Sequence, residues 1–225
     1  MHVHVAFTPA EAAAAPLGIV VDVIRATTTI PQALAGGFEQ VLCCAEIGEA
    51  LTLHRELPGS VTAGERLGVK VEQFDRSVSP REYVRGGDGT LILSTTNGTR
   101  AILDAAQRCD EVWLGSLVNL DALARAARAR GEDVAILCAG YQGTFALDDA
   151  YCAGRIVQEL GGEASDAAIA AELVASSYPD ALTGLNARTY GPPGLEDDIR
   201  FCAQESILDV VPRFAGMHGA AAALI

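Results

Sequence analysis

The sequence is short of positive charge: 16 Lys and Arg stand against 29 Asp and Glu, a formal net charge of −13. That balance excludes broad electrostatic attraction to nucleic acid or to an anionic membrane. Among Cys43, Cys44, Cys109, Cys138, Cys152 and Cys202 there is no C-x-x-C pair, and no histidine stands at a metal-ligand spacing. A zinc site is therefore not expected, and the cysteines read as buried reduced thiols. The pattern G-x-x-x-x-G-K-[ST] is missing, which excludes a nucleotide-binding P-loop. No cysteine heads a glycine-rich loop ending in arginine, and His2, His4, His54 and His218 lie outside every Thr/Gly-rich turn, so neither a cysteine phosphatase nor a phosphohistidine enzyme is favoured. No basic segment followed by an apolar core opens the chain and no run reaches membrane-spanning length. A cytoplasmic protein without membrane or nucleic-acid partners is expected.

Half of the 225 residues are apolar, enough to bury a sizeable core in one unit. Apolar runs alternate with Ala/Leu-rich stretches as far as about Leu160, the pattern of a mainly parallel sheet covered by helices. Strands are predicted near 18–23, 40–45, 60–63, 90–94, 111–115 and 134–138, and helices near 28–35, 47–56, 99–107, 119–130 and 147–160. Pro31 is tolerated only in a first helical turn, which puts the cap of the first helix near Thr28 or Thr29. From about 165 the chain becomes more helical, with no linker before it, so residues 1–225 are read as a single domain. Ala215 to Ile225 carries no functional signal.

Three apolar runs end in Thr/Gly-rich turns that restart as helices. They are Val20-Val21-Asp22 into Arg25-Ala26-Thr27-Thr28-Thr29, Leu91-Ile92-Leu93 into Ser94-Thr95-Thr96-Asn97-Gly98-Thr99-Arg100, and Ile136-Leu137-Cys138 into Ala139-Gly140-Tyr141-Gln142-Gly143-Thr144. Hydroxyls, free backbone N–H groups and the helix dipole converge in such turns and favour anions. Strands running parallel in one sheet would bring the three turns to one edge. Thr28 through Leu42 can also be laid over Thr99 through Trp113, by duplication or by shared turn chemistry. Asp22 ends an apolar run, so its carboxylate needs a cation, Arg25 or a raised pKa. Arg25, Arg100 and Lys70 are the local sources of positive charge. Glu65, Asp148-Asp149 and Glu196-Asp197-Asp198 add hard oxygen donors suited to magnesium. Together these features point to magnesium-assisted phosphoryl chemistry.

The motifs resemble those of the 2-phosphosulfolactate phosphatase family, called ComB. The matching stretches are Asp22-Val23-Ile24-Arg25-Ala26-Thr27-Thr28-Thr29, Ala63-Gly64-Glu65-Arg66, Thr95-Thr96-Asn97-Gly98-Thr99-Arg100, Gly115-Ser116-Leu117-Val118-Asn119, Cys138-Ala139-Gly140 with Leu147-Asp148-Asp149 and Cys152-Ala153-Gly154, and Asp197-Asp198-Ile199-Arg200-Phe201-Cys202. They run in the family's order over most of the chain. The resemblance implies a three-layer α/β/α fold with a mainly parallel or mixed sheet. It also implies Mg2+-dependent hydrolysis of (2R)-2-phospho-3-sulfolactate, a small phosphorylated and sulfonated acid, in coenzyme M biosynthesis. Two departures stand in one loop: Gln73 replaces a glycine of the family pattern and Val78 an asparagine.

The expected roles are then specific. Asp22, Arg25 and Glu65 are the catalytic candidates. Arg25, Thr27, Thr28, Thr29, Thr95, Thr96, Asn97, Gly98, Thr99 and Arg100 are expected to bind substrate, and Asp22, Glu65, Asp148 and Asp149 to hold Mg2+. Asp22 as a nucleophile forming an aspartyl-phosphate is a second route. A haloacid-dehalogenase-type phosphatase would need a second Asp where Ile24 stands; a noncatalytic anion-binding protein would use the same turns. Association into homo-oligomers is expected.

Overall fold

Secondary structure alternates closely along the computed structural model, which describes residues 1–225. The first half holds β1 (His2–Ala6), β2 (Leu17–Val21), α1 (Ala26–Ala35), β3 (Gln40–Cys43), α2 (Ile47–Glu56), β4 (Val61–Arg66), β5 (Val69–Lys70), β6 (Thr90–Ser94), α3 (Gly98–Arg108) and β7 (Glu111–Leu114). The second holds α4 (Leu120–Arg130), β8 (Val134–Cys138), α5 (Leu147–Leu160), β9 (Glu163–Ala164), α6 (Asp166–Ser176), α7 (Ala181–Asn186), α8 (Glu196–Cys202), β10 (Phe214–His218) and β11 (Ala221–Leu224). All six predicted strands and all five predicted helices are present. The short strands β5 and β9, the N-terminal β1 and the C-terminal β10–β11 hairpin were not anticipated.

The strands divide between two sheets. One is wholly parallel, in the order β7-β2-β8-β1-β9; the other is mixed, in the order β10-β11-β3-β6-β4-β5, with β3, β6 and β4 parallel. Side-chain alternation sorts the core accordingly. Leu17, Ile19 and Val21 of β2 face the helices α4, α5 and α6, whereas Val20 points the other way, toward Ile30 of α1 and Ile102 of α3. In the second sheet Val41, Leu91 and Leu93 join that same interior cluster, while Leu42 and Ile92 pack toward α2. Helices α1 and α3 thus fill the space between the sheets, and each sheet has helices on both faces. Each fully buried Leu, Ile or Val in this layer contributes roughly 1.5–3 kcal/mol.

The sequence echo has a structural counterpart. Helix α1 carries the chain from β2 in the first sheet to β3 in the second, and α3 carries it back from β6 to β7. The turn after β6 therefore comes from a different sheet than the turns after β2 and β8, which corrects the expectation of a single edge.

Pro31 also lies deeper than expected. Helix α1 begins at Ala26, with Arg25 as its N-cap, and Pro31 is inside it. Its missing N–H leaves the Thr27 carbonyl without the usual helical donor. The preceding turn is fixed independently, because Thr27 N donates to Asp22 O at 2.9 Å and Asp22 N donates to Thr27 Oγ1 at 3.0 Å. That reciprocal pair starts the helix before the proline can terminate it.

Candidate active site

A cleft of about 520 Å3 opens where the two sheets meet. From the first sheet it receives Asp22, Arg25 and Ala26 after β2, and Asp148 from the first turn of α5. The second sheet supplies Glu65 at the end of β4 and Thr95, Thr96 and Asn97 after β6. The segment between α7 and α8 closes the remaining wall with Arg188, Tyr190 and Pro192.

Three buried carboxylates face this cavity, each in a different environment. Asp22 is raised to about 7 by burial first, then by the charges of Glu65 and Asp148; the backbone N–H groups of Gly98 and Ala26 act in the opposite direction. The N termini of α3 and α1 thus converge on it. Glu65 is fixed by donors: Thr96 N at 2.6 Å to Oε1, with Gly68 N at 2.5 Å and Thr96 Oγ1 at 3.1 Å to Oε2. Asp148 accepts from Asp149 N at 3.0 Å and from the Tyr190 hydroxyl. Burial raises its pKa, while the tyrosine hydrogen bond and the positive charge of Arg188 lower it.

Arg25 reaches the cleft from a buried ion pair. Its Nη1 lies 2.7 Å from Asp198 Oδ2 and its Nη2 donates to Gly68 O at 2.9 Å. Asp198 in turn accepts from Ser79 Oγ at 2.5 Å. Arg188 is the second guanidinium of the cleft. It donates to the Tyr190 carbonyl and lies 5.9 Å from the Tyr190 ring centroid, and that ring stacks on Tyr141 at 4.4 Å. The sequence carries no sign of Arg188 or Tyr190 as site residues, whereas Tyr141 belongs to the third Thr/Gly-rich turn, which is thereby brought to the cleft. Asp198 stood in an acidic run whose role the sequence left ambiguous.

Several expected site residues do other work. The hydroxyls of Thr27, Thr28 and Thr29 are fully buried and used locally: Thr27 Oγ1 accepts from Asp22 N, Thr28 Oγ1 donates to Val23 O at 2.8 Å and Thr29 Oγ1 donates to Val78 O at 2.6 Å. None lines the cleft, so the oxyanion cradle expected from them is corrected to a set of backbone clamps. Thr99 is likewise buried against Thr95, its Oγ1 accepting from Thr95 N at 3.1 Å. Gly98 stands behind Asp22 and does not line the cavity. Arg100 points to solvent and pairs with Glu46 at 2.6 Å, so the structure does not bring it to the anion site. Asp149 is not a cleft residue either. Its Oδ1 accepts from Val23 N at 2.9 Å and its Oδ2 from Gly140 N at 3.0 Å, which ties the turn after β2 to the turn after β8. Lys70 donates to Asp75 O away from the cleft. Of the two loop departures, Val78 lines the cavity and Gln73 does not.

The donor set is compatible with magnesium. The cleft holds hard carboxylate oxygens that mutually disfavour ionisation, and no group of three or more His, Cys, Asp or Glu is near enough to close a protein cage. Mg2+ usually takes one or two carboxylates and completes its shell with water and substrate phosphate oxygens.

Two interlocked sheets with an acidic cleft at their junction define an α/β protein with an enzyme-like site. A family model described as 2-phosphosulpholactate phosphatase matches residues 4–216, and the chain belongs to that family, one of phosphoric monoester hydrolases. A protein of Thermus thermophilus named "Probable 2-phosphosulfolactate phosphatase" is 40% identical, covering 98% of each chain. Proteins with the same name from Symbiobacterium thermophilum and Caldanaerobacter subterraneus are 37% and 36% identical; they cover 92% and 87% of this chain and 94% and 86% of their own. This membership replaces the haloacid-dehalogenase alternative.

Proposed function

We propose that the protein hydrolyses (2R)-2-phospho-3-sulfolactate to (2R)-3-sulfolactate and phosphate in a Mg2+-dependent reaction, as in coenzyme M biosynthesis. The observation that carries this reading is the lining of one cleft by Asp22, Glu65 and Asp148 together with Arg25, Arg188 and the Thr95–Asn97 turn. The names of the relatives support the same substrate.

Two of the cleft carboxylates Asp22, Glu65 and Asp148 would hold the ion, water and substrate oxygens completing its shell, with Asp149 reassigned to anchoring the turn that follows β2 through Val23 N. Bound there, Mg2+ would neutralise phosphate oxygens and help orient the attacking group. Arg25 lines the cleft with Asp22 and offers guanidinium donors there, and its pairing with Asp198 keeps the guanidinium from turning out of the cleft. The turn at the start of α3 offers backbone dipoles to the phosphate, and its orientation is set by the grip of Thr96 on Glu65. The six free cysteines accord with a cytoplasmic location, which we propose together with self-association.

Phosphate release from 2-phosphosulfolactate by the purified protein tests the reading, with Mg2+ present or chelated. Turnover that requires the ion is expected. Absence of release from this and related phosphorylated hydroxyacids would remove the catalytic assignment in favour of a noncatalytic anion-binding role. Asp22→Asn is expected to abolish turnover while sulfolactate binding persists; unchanged turnover would contradict the role given to Asp22.

A further inference from the structure

The two guanidiniums of the cleft are in different electrostatic states. Arg25 is neutralised by a buried carboxylate and also donates to a backbone carbonyl. Arg188 lines the same cleft but forms no ion pair, and its Nε is buried without any hydrogen-bond partner. It is the single buried side-chain nitrogen or oxygen so left in the molecule. A buried charged donor without a partner is destabilising, and an anion placed against it removes that penalty. The planar fork of arginine matches a carboxylate or sulfonate, to which it can donate two parallel hydrogen bonds.

Arg188 enters the cleft from a different part of the fold than most of the phosphoryl-handling group. Asp22, Glu65, Arg25 and the Thr95–Asn97 turn come from the ends of sheet strands, whereas Arg188 stands on the outer segment between α7 and α8. Its surroundings are aromatic and rigid. Tyr190 is held at its ring by stacking on Tyr141 and at its hydroxyl by Asp148, and its carbonyl accepts from Arg188 Nη1. That leaves Nε buried without a protein group and Nη2, on the same side of the guanidinium fork, with no hydrogen bond to the protein.

We propose that Arg188 is a specificity-determining residue that receives the acidic group of the substrate which is not transferred, a sulfonate or a carboxylate. The proposal rests on the phosphatase reading above and names what selects the acid within that site. A neutral side chain here loses the charge and the fork together; lysine restores only the charge.

The test compares wild type, Arg188→Met and Arg188→Lys on three phosphate esters: 2-phosphosulfolactate, 2-phospholactate, which lacks the sulfonate, and the phosphate ester of 2-hydroxypropane-1-sulfonate, which lacks the carboxylate. For the full substrate, Arg188→Met is expected to raise KM roughly 10- to 100-fold, with a much smaller fall in kcat and partial recovery in Arg188→Lys. The KM penalty should shrink to a few-fold for one of the truncated esters, and that ester identifies the group Arg188 holds. An equal penalty on all three esters, or none on any, overturns the proposal. Calorimetric titration with 3-sulfolactate, which carries both acids and no phosphate, gives an answer independent of turnover. Binding weakened at least 10-fold in Arg188→Met is expected; equal affinity in the two proteins, or no binding by wild type, overturns it. Failure of wild type to hydrolyse any ester overturns the phosphatase reading instead.

Discussion

Gly98 and Asp22 touch across the junction of the two sheets: a methyl group at position 98 would lie 2.5 Å from Asp22 Oδ2 and 2.5 Å from the Ala26 Cβ. Gly98 opens α3, where alanine would normally favour the helix. Here the missing side chain makes room for a carboxylate. Gly98→Ala is therefore expected to displace Asp22 and lower kcat about 100-fold, because a misplacement near 1 Å in a catalytic group has that scale of effect. Phosphate-release kinetics on protein with an unchanged far-ultraviolet circular dichroism spectrum check this, and near-normal kcat would contradict it.

The raised pKa of Asp22 makes stability depend on pH with a definite sign. A carboxyl that titrates near 7 when folded but at 3.8 in its ordinary state keeps its proton longer in the folded protein, so the stability it contributes is full below pH 3.8, falls as pH rises from 3.8 to 7 and is level above that. Asp22→Asn removes that loss. In metal-free buffer the variant's gain should already be present at pH 5 and be larger by roughly 4–8 °C in Tm at pH 8, about 2 kcal/mol for a protein of this size. Added Mg2+ should narrow the difference by stabilising wild type. Differential scanning calorimetry at the two pH values measures both effects; a gain that is larger at pH 5 would reverse the assignment.

Asp198 compensates the buried charge of Arg25, with the two side chains only 8% and 7% exposed. Asp198→Asn leaves the guanidinium buried without its counter-charge. The expected cost is about 3–5 kcal/mol in urea unfolding, and the freed Arg25 should also raise KM for substrate. A loss under 1 kcal/mol would mean that solvent reaches the pair.

Thr29→Val is expected to act on stability rather than chemistry. It removes the donor to Val78 O and leaves that carbonyl buried, at a cost of about 1–3 kcal/mol. Turnover per folded molecule should stay within about 2-fold, a change worth less than 0.5 kcal/mol of barrier. Denaturant titration beside activity on the soluble fraction separates the two.

Arg100→Ala provides the converse check on the site's boundary. Its pair with Glu46 is exposed at both ends, so less than about 0.5 kcal/mol of stability is at stake. Phosphate release should persist at close to the wild-type rate. A 10-fold rise in KM, equivalent to about 1.4 kcal/mol, would return Arg100 to the substrate.

Strand and helix placement was legible wherever an apolar run met a helical stretch, because periodicity and glycine stops act locally. His2-Val3-His4-Val5 also alternates, and with the structure in view this is the two-residue period of β1, exposed at the histidines and buried at the valines. The allocation of strands to two sheets had no local signature, since β2 and β6 carry similar patterns and differ only in their distant partners. Asp22, Arg25, Glu65 and the Thr95–Asn97 turn could be selected because chemistry-bearing types stood at strand ends. The threonines after Arg25 misled for the same reason: the sequence displays hydroxyls but not their partners, and here the carbonyls of Val23 and Val78 take the donors of Thr28 and Thr29 while the Asp22 N–H occupies the Thr27 oxygen. Arg188 was invisible because its neighbours Ala187 and Thr189 look like ordinary surface chain. Only packing against Tyr190 distinguishes it from other arginines.

Because Asp22 and Glu65 are mounted on separate slabs of backbone, a guest gripping both would behave as a rivet through the joint. Shearing one slab past the other would then require extracting the guest, so occupancy and resistance to unfolding would rise together by mass action. Substitutions far away in the helices sandwiched between the slabs could retune affinity without touching the guest at all, simply by changing how the plates are shimmed.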